Sequence, residues 1–216
     1  MIPLRSTEVP RSPAFVTGAL ILVNVALFLY ELSLGPDRFD TFLSRYGVIP
    51  DRFEWLTLVT SMFLHGGWMH LIGNMWFLWI YGRNIEDLIG SAKFLFFYLV
   101  CGIAAGVIHV IVNRNSVVPT IGASGAIAGV MGAFLAKLPR ARIITLVPIF
   151  IFITTMEIPA ALLLVYWFII QFFNGFGSIS ARGADHGIAW FAHIGGFIAG
   201  FLIVRAIPTR PRYLWT

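Results

Sequence analysis

Long apolar runs separated by short polar segments are the feature of this sequence that most restricts its fold. Of the 216 residues, 58% are hydrophobic and only 12% are charged, whereas roughly 25% of the residues in an average soluble domain are charged. A helix that crosses a bilayer needs about 20 consecutive apolar residues. The length therefore suits one domain, residues 1–216, with room for six membrane helices and no second soluble module. We predict an all-α polytopic membrane protein.

The predicted spans follow the apolar runs, and a mixed segment separates the first two. This segment, at 33–60, interleaves charged and aromatic residues, which predicts an ordered loop with amphipathic pieces at the membrane interface. The apolar stretch 142–155 contains Pro148, so it is either part of a longer fifth span or an interfacial connection. The spans are predicted at about 14–31, 64–82, 94–112, 122–138, 158–173 and 188–207.

The positive charges orient these spans. Lys and Arg are enriched in cytoplasmic loops, and six spans place both termini on the same side of the membrane. Cytoplasmic termini leave only a minority of the 15 Lys and Arg residues outside, namely Arg38, Arg45, Arg52, Arg114 and Arg182. Because the charges are scattered at the ends of apolar runs, the net charge of +5 does not indicate a nucleic-acid partner. An N-terminal segment that is poor in arginine and not transit-like favours a prokaryotic inner membrane, with both termini cytoplasmic.

Three polar residues are predicted to lie at a similar depth in the membrane. With this topology His70, Ser124 and His193 each follow the outer start of an even-numbered span. At a rise of 1.5 Å per residue, each lies within about 10 Å of that start. Small residues also recur at intervals of four on spans four and six, which permits close approach of the two backbones: Gly125, Gly129 and Ala133, and Ala192, Gly196 and Gly200.

This convergence predicts a nucleophile and a base. A lone transmembrane serine more often bonds its own backbone or supports helix packing, but the pairing of Ser124 with His193 favours chemistry. A serine hydroxyl is a weak nucleophile until a base takes its proton, and neutral imidazole suits that task near pH 7. The attacked carbonyl then needs hydrogen-bond donors for its negative charge. The predicted donors are the backbone N–H of Ser124, at the start of a helix, and His70 and Asn74, which share one face of span two.

No acidic third member is evident in the sequence. Glu157 is predicted near the cytoplasmic end of span five, at the wrong depth, and Asp185 lies in the outer loop before span six, where contact with His193 is allowed but not required. We therefore predict a two-residue arrangement. Two other histidines, His65 and His109, are predicted to be structural.

An alternative role for His65, His70 and His193 is that they bind a metal ion together. Such a site would normally be accompanied by clustered carboxylates or by a histidine pair at i,i+4, and the sequence contains neither. We therefore predict that the protein binds no metal and uses no cofactor.

Substrate access requires a movable element in a membrane-embedded site. The segment 174–183 is rich in Gly and Ser and is predicted to be a lid. Aromatic residues of the fifth span could form a side gate, or they could simply face lipid: Tyr166, Trp167, Phe168, Phe172 and Phe173.

Taken in order, these motifs resemble those of the rhomboid intramembrane serine proteases, over about 55–200. Gly122–Gly125 resembles the GxSG motif of the family, and His70–Asn74 resembles its HxxxN motif. Ala192–Gly200 resembles AHxxGxxxG, and Gly82 with Glu86 resembles GxxxE. One departure is Ala128, where some bacterial members have a tyrosine that stacks on the catalytic histidine. An aromatic from elsewhere would have to take that place.

The resemblance implies a six-helix rhomboid-like bundle in which Ser124 and His193 are the catalytic dyad. It assigns stabilisation of the oxyanion to His70, Asn74 and the Ser124 backbone amide. The implied activity is that of a serine endopeptidase acting in or beside the transmembrane segment of single-span membrane proteins within the lipid bilayer, without metal or nucleotide.

Two other classes of function remain open at this point. One is a non-catalytic rhomboid-like protein that binds transmembrane clients without cutting them, although such a protein is expected to have lost the serine or the histidine. The other is a transporter or proton channel, which would use the intramembrane histidines.

Overall fold

Helices form most of the chain, as the apolar runs predict. The structure is a computed structural model and describes residues 1–149, 152–180 and 189–210. The helices are α1 (Phe15–Ser33), α2 (Pro36–Tyr46), α3 (Thr57–Thr60), α4 (Trp68–Phe77), α5 (Arg83–Ile89), α6 (Ser91–Val112), α7 (Ser124–Lys137), α8 (Ala160–Ser180) and α9 (Trp190–Ala206). Short 3-10 turns cover Pro50–Arg52 and Ser61–Phe63, and a π-helical turn, Leu78–Gly82, joins α4 to α5. The strands are β1 (Ile2–Ser6), β2 (Arg142–Ile149) and β3 (Phe152–Pro159).

Every predicted span overlaps a helix, and the limits of α1, α6, α7 and α9 differ from the predicted ones by only a few residues. By length and hydropathy, the described part of the chain contains three helices that could cross a membrane, namely α1, α6 and the Ala160–Gly177 part of α8. The helices α7 and α9 are apolar but shorter. The second predicted span is divided among α4, the π-helical turn and α5. The number of six crossings therefore stays a prediction.

The segment between the first two spans is ordered. Helix α2 begins with Pro36 at its first turn, where the missing N–H of proline is harmless. Phe42 packs on Tyr30 and Tyr46, with ring centroids 5.7 and 4.7 Å apart. On the exposed side, Arg45 and Glu54 form an ion pair of 3.8 Å. Aromatic packing on one side and exposed charges on the other agree with the predicted amphipathic pieces.

A small antiparallel sheet departs from the all-α prediction. Strand β2 pairs with β1 on one side and with β3 on the other. Residues 142–149 and 152–155 are therefore strand and not part of a longer fifth helix. That this connection lies at the membrane interface stays a prediction. Its residues are rich in Ile, Thr and Val, and β-branched side chains favour strands. Hydrophobic content alone does not distinguish such a strand from a buried helix, which is why the sequence did not predict the sheet.

Helix α7 lies at the centre of the bundle and packs closely against α9. Its residues from Gly125 to Phe134 are all buried. A Cβ atom added at Gly196 would overlap the carbonyl oxygen of Gly125, and one added at Gly200 would overlap that of Gly129. The small residues that the sequence places at intervals of four are therefore the contact surface of the two helices, as predicted.

We expect the change Gly200→Ala to destabilise the protein, because the new methyl group would meet the backbone of Gly129. Overpacking of this kind costs roughly 1–3 kcal/mol, measurable as a lower unfolding midpoint in detergent. The matched control is Gly18→Ala in α1, where an added Cβ meets nothing within 4 Å. Equal unfolding temperatures for the two variants would show that the close contact between α7 and α9 does not contribute to the stability of the protein.

Glu86 ties α5 to the N-terminus of α1. Its side chain is only 1% exposed, yet its carboxylate accepts hydrogen bonds from the backbone N–H groups of Val16 and Thr17, both at 2.8 Å. The hydroxyls of Thr17 and Ser91 donate to it as well, at 2.7 Å each. The first N–H groups of a helix have no partner within the helix and favour a negative charge nearby. Glu86 is therefore a structural capping residue.

The change Glu86→Gln should lower the free energy of unfolding by about 1–3 kcal/mol, because an amide cannot accept the same set of charged hydrogen bonds. Chemical or thermal unfolding in detergent would measure this loss. Glu157→Gln serves as the control, since Glu157 makes an exposed pair with Arg142 at 3.9 Å and such pairs contribute little. Equal stability of the two variants would contradict the capping role.

Candidate active site

The turn that leads into α7 places Ser124 at the first residue of that helix. Gly122 has φ +118°, a left-handed conformation that residues with a side chain rarely adopt. A Cβ atom there would also lie 2.6 Å from Nε2 of His70. The backbone N–H of Gly122 donates to the carbonyl of Ser61 at 2.8 Å. Glycine is therefore required at this position by both backbone conformation and space.

The structure brings Ser124 and His193 together. The Ser124 Oγ and the His193 Nε2 are 2.8 Å apart, a hydrogen-bond distance. Ser124 begins α7 and His193 lies in the first turn of α9, so the close packing of these two helices sets the distance between the side chains. Both residues are half-buried.

Gln171 of α8 makes the second hydrogen bond of the histidine, and the sequence reasoning missed it. Its Oε1 lies 2.7 Å from Nδ1 of His193, and its side chain is buried. One signal was present in the sequence, since a polar amide within an apolar span is energetically unfavourable and tends to have a hydrogen-bond partner. No motif spacing links it to His193, however, so the sequence alone did not reveal the contact.

His70 and Asn74 lie on the other wall of the same site. Asn74 is buried, while His70 is half-buried, and both face Gly122, where an added Cβ would lie 3.5 Å from Nδ2 of Asn74. The Asn74 amide also contacts Nε2 of His65 at 3.1 Å. His65 is fully buried, so its structural role includes holding Asn74, a link that the sequence did not indicate.

A cavity of about 380 Å³ connects these groups. Its polar lining comes from His70, Asn74, Ser124 and His193. The rest of its wall is mostly apolar and includes Met69, Phe77, Ile127, Met131 and Trp167. The predicted site residues therefore face one shared space that is large enough for a small part of a peptide chain.

Trp167 provides an aromatic neighbour for His193. The two ring centroids are 5.9 Å apart, with the rings inclined at 38°. Ala128 has no aromatic ring to stack on the histidine, as the sequence indicated, and α8 supplies the aromatic contact instead. Trp190 contacts the same ring edge-on at 6.4 Å.

The remaining candidate residues lie elsewhere. Glu157 is in β3 and pairs with Arg142, which agrees with its exclusion as a partner of His193. Nε2 of His109 contacts the Thr120 hydroxyl at 2.8 Å, in keeping with a structural role. Asp185 lies outside the described residues.

Most of the predicted lid is helical. Helix α8 continues through Ser180, and Gly175 is buried near Trp190 and Phe191. The part of the segment at 181–183 lies outside the described residues. On the same helix Tyr166, Phe172 and Phe173 are exposed, as expected for side chains that face lipid.

Comparison with known proteins decides the family. The family model described as Rhomboid domain matches residues 52–209, well over half of the chain. The chain belongs to the rhomboid family. It is an integral membrane protein of that family, with the candidate site inside the matched region.

Named relatives include proteins of plants and bacteria. RHOMBOID-like protein 6, mitochondrial, of Arabidopsis thaliana is 29% identical over 168 residues, which are 78% of this chain and 48% of the relative. RHOMBOID-like protein 4 of the same plant is 30% identical over 75% of this chain and 36% of the relative. Rhomboid protease GluP of Bacillus subtilis (strain 168) is 33% identical over 57% of this chain and 24% of the relative. This rhomboid protein spans less than half the length of each of them.

Proposed function

We propose that this rhomboid protein is an intramembrane serine endopeptidase that uses Ser124 and His193. The observation that carries the proposal is the 2.8 Å distance between Ser124 Oγ and His193 Nε2, in a cavity that also presents His70 and Asn74. The name of the Bacillus subtilis relative, a rhomboid protease, supports the same class of activity.

The arrangement suits acyl transfer. In the proposed mechanism, Nε2 of His193 accepts the Ser124 proton while Oγ attacks the carbonyl carbon of the scissile peptide bond. The Nε2–H then donates the proton to the leaving amine, and the acyl group stays on Ser124. A water molecule, deprotonated by His193, hydrolyses that ester and regenerates the serine.

We assign the stabilisation of the negative charge on the tetrahedral oxygen to hydrogen-bond donors on two sides of the cavity. Ser124 begins α7, so its backbone N–H is among those with no partner in the helix, and the positive end of the helix dipole lies there. His70 and Asn74 face Gly122 from α4 and supply side-chain donors. Preorganised donors of this kind stabilise the transition state more than the substrate.

The substrate class follows from the surroundings of the cavity. Apolar side chains line most of the cavity, and α7 has 14 residues, or about 21 Å of helix at 1.5 Å per residue. A hydrocarbon core is about 30 Å thick. If Lys137 at the end of α7 lies at one interface, Ser124 lies within the membrane. A transmembrane or juxtamembrane segment of a single-span protein is the substrate that reaches such a depth.

The membrane and its sidedness belong to the same proposal. With six crossings, which place both termini on one side, the charge distribution supports cytoplasmic termini. Named relatives come from a bacterium and from mitochondria, so the prokaryotic inner membrane stays a prediction from the sequence.

Replacing either member of the dyad should abolish cleavage. The experiment is hydrolysis of a single-span reporter by purified protein in liposomes, for wild type, Ser124→Ala and His193→Ala. A serine-directed phosphonate should label wild type and not Ser124→Ala, and the exposed Ser33→Ala is the matched control. Absence of both cleavage and labelling in wild type would refute the protease and favour a client-binding protein. Ion or solute flux that survives Ser124→Ala would favour a transporter.

Asn74→Ala should lower kcat by roughly 100-fold, the usual effect of losing one oxyanion donor, with a smaller change in KM. Steady-state cleavage of the reporter measures both constants. Asn113→Ala is the control, because Asn113 contacts His109 at the end of α6 and does not line the cavity. A loss confined to KM, or no loss, would remove Asn74 from the oxyanion site.

A further inference from the structure

Gln171 is the buried polar residue of α8 whose role the dyad by itself leaves unexplained. Its side chain is 6% exposed and lies between apolar neighbours in the sequence of a helix long enough to cross a membrane. A polar amide in such surroundings is unfavourable unless it is hydrogen-bonded. Its partner is Nδ1 of His193, at 2.7 Å.

The chemistry of this bond decides which nitrogen of the imidazole carries the proton. The amide oxygen of Gln171 can only accept a hydrogen bond, so Nδ1 must donate. In a neutral imidazole the other nitrogen, Nε2, then has a free lone pair. That lone pair points to the Ser124 hydroxyl, 2.8 Å away. The opposite tautomer would put a proton on Nε2 and leave no base for the serine.

The same helix also supports the imidazole ring from the side. Trp167 precedes Gln171 by four residues, so the two side chains share one face of α8. The indole lies 5.9 Å from the imidazole, centroid to centroid, while the amide holds one ring nitrogen. These two contacts from α8 fix the orientation of the imidazole ring, although His193 itself belongs to α9.

We propose that Gln171 is a positioning residue that holds His193 in the Nδ1–H tautomer and aims its Nε2 at Ser124. This inference rests on the proposed protease function. A neutral amide suits this place, because a carboxylate would bring a charge into an apolar helix bundle, where desolvation is costly. The site therefore has a nucleophile, a base and an uncharged orienting group, each from a different helix.

Three variants test the proposal by kinetics. Gln171→Leu keeps a buried side chain of similar size but removes the acceptor, so kcat should fall by roughly tenfold or more with little change in KM, since a typical hydrogen bond shifts an equilibrium by about that factor. Gln171→Glu keeps an acceptor and should recover activity relative to Gln171→Leu. Its carboxylate also stabilises the imidazolium, so the acidic limb of the pH–rate profile should move to higher pH. The control is Asn24→Leu, a buried amide of α1 that bonds the Leu20 carbonyl.

A spectroscopic measurement gives a readout that does not depend on cleavage. In wild-type protein labelled with ¹⁵N-histidine, His193 should show a protonated Nδ1 and an unprotonated Nε2, and His193→Ala identifies its signals. The Gln171→Leu variant should lose this preference, whereas Asn24→Leu should keep it.

The outcomes separate the two proposals. A wild-type spectrum with the proton on Nε2, or a Gln171→Leu variant with the kcat and pH profile of Asn24→Leu, would overturn the role of Gln171 while leaving the protease intact. Wild-type protein that neither cleaves the reporter nor is labelled by the phosphonate would refute the protease, and the ¹⁵N spectrum would still decide whether Gln171 sets the tautomer.

Discussion

The contact between the backbones of α7 and α9 is the constraint on which the candidate site depends. A methyl group at Gly196 or Gly200 of α9 would overlap the backbone of Gly125 or Gly129 of α7, so the two helices are in backbone contact at these positions. This approach brings the start of α7 beside the first turn of α9, and with it the Ser124 hydroxyl within 2.8 Å of the imidazole. In an environment without water, helices associate through close packing and hydrogen bonds rather than through the hydrophobic effect. The same packing that holds the bundle together therefore sets the geometry of the dyad.

Polar groups inside the bundle divide into those that support the fold and those that face the cavity. Glu86 is enclosed by hydrogen-bond donors from α1 and α6, and its carboxylate is fully occupied in capping. Asn74 and His193 have partners behind them, His65 and Gln171, and also face the cavity. A side chain held from behind by a second polar group keeps a fixed orientation, which is the preorganisation that the proposed electrostatic stabilisation requires.

Helix α8 links the site to the outer surface of the bundle. Its Trp167 and Gln171 reach the imidazole, whereas Tyr166 and Phe173 are exposed. A displacement of this helix would therefore change both the access to the cavity and the orientation of the proposed base. The aromatic residues of the fifth span and the residues that support His193, which the sequence pattern did not connect, therefore lie on the same helix, α8.

The sequence by itself determined the membrane-protein class, the approximate limits of most helices and the candidate residues for the proposed dyad and its opposite wall. It could do so because apolar runs, glycine spacing and motifs such as Gly122–Gly125 are local patterns that the backbone must obey. It did not reveal the three-stranded sheet, since the hydrophobic pattern of a short apolar stretch does not by itself distinguish a buried strand from a buried helix. It did not reveal Gln171 or the contact of His65 with Asn74 either. Those contacts join residues on different elements, and only the packing of α8 on α9 and of the Ser61–Phe63 turn near α4 decides which polar side chains meet.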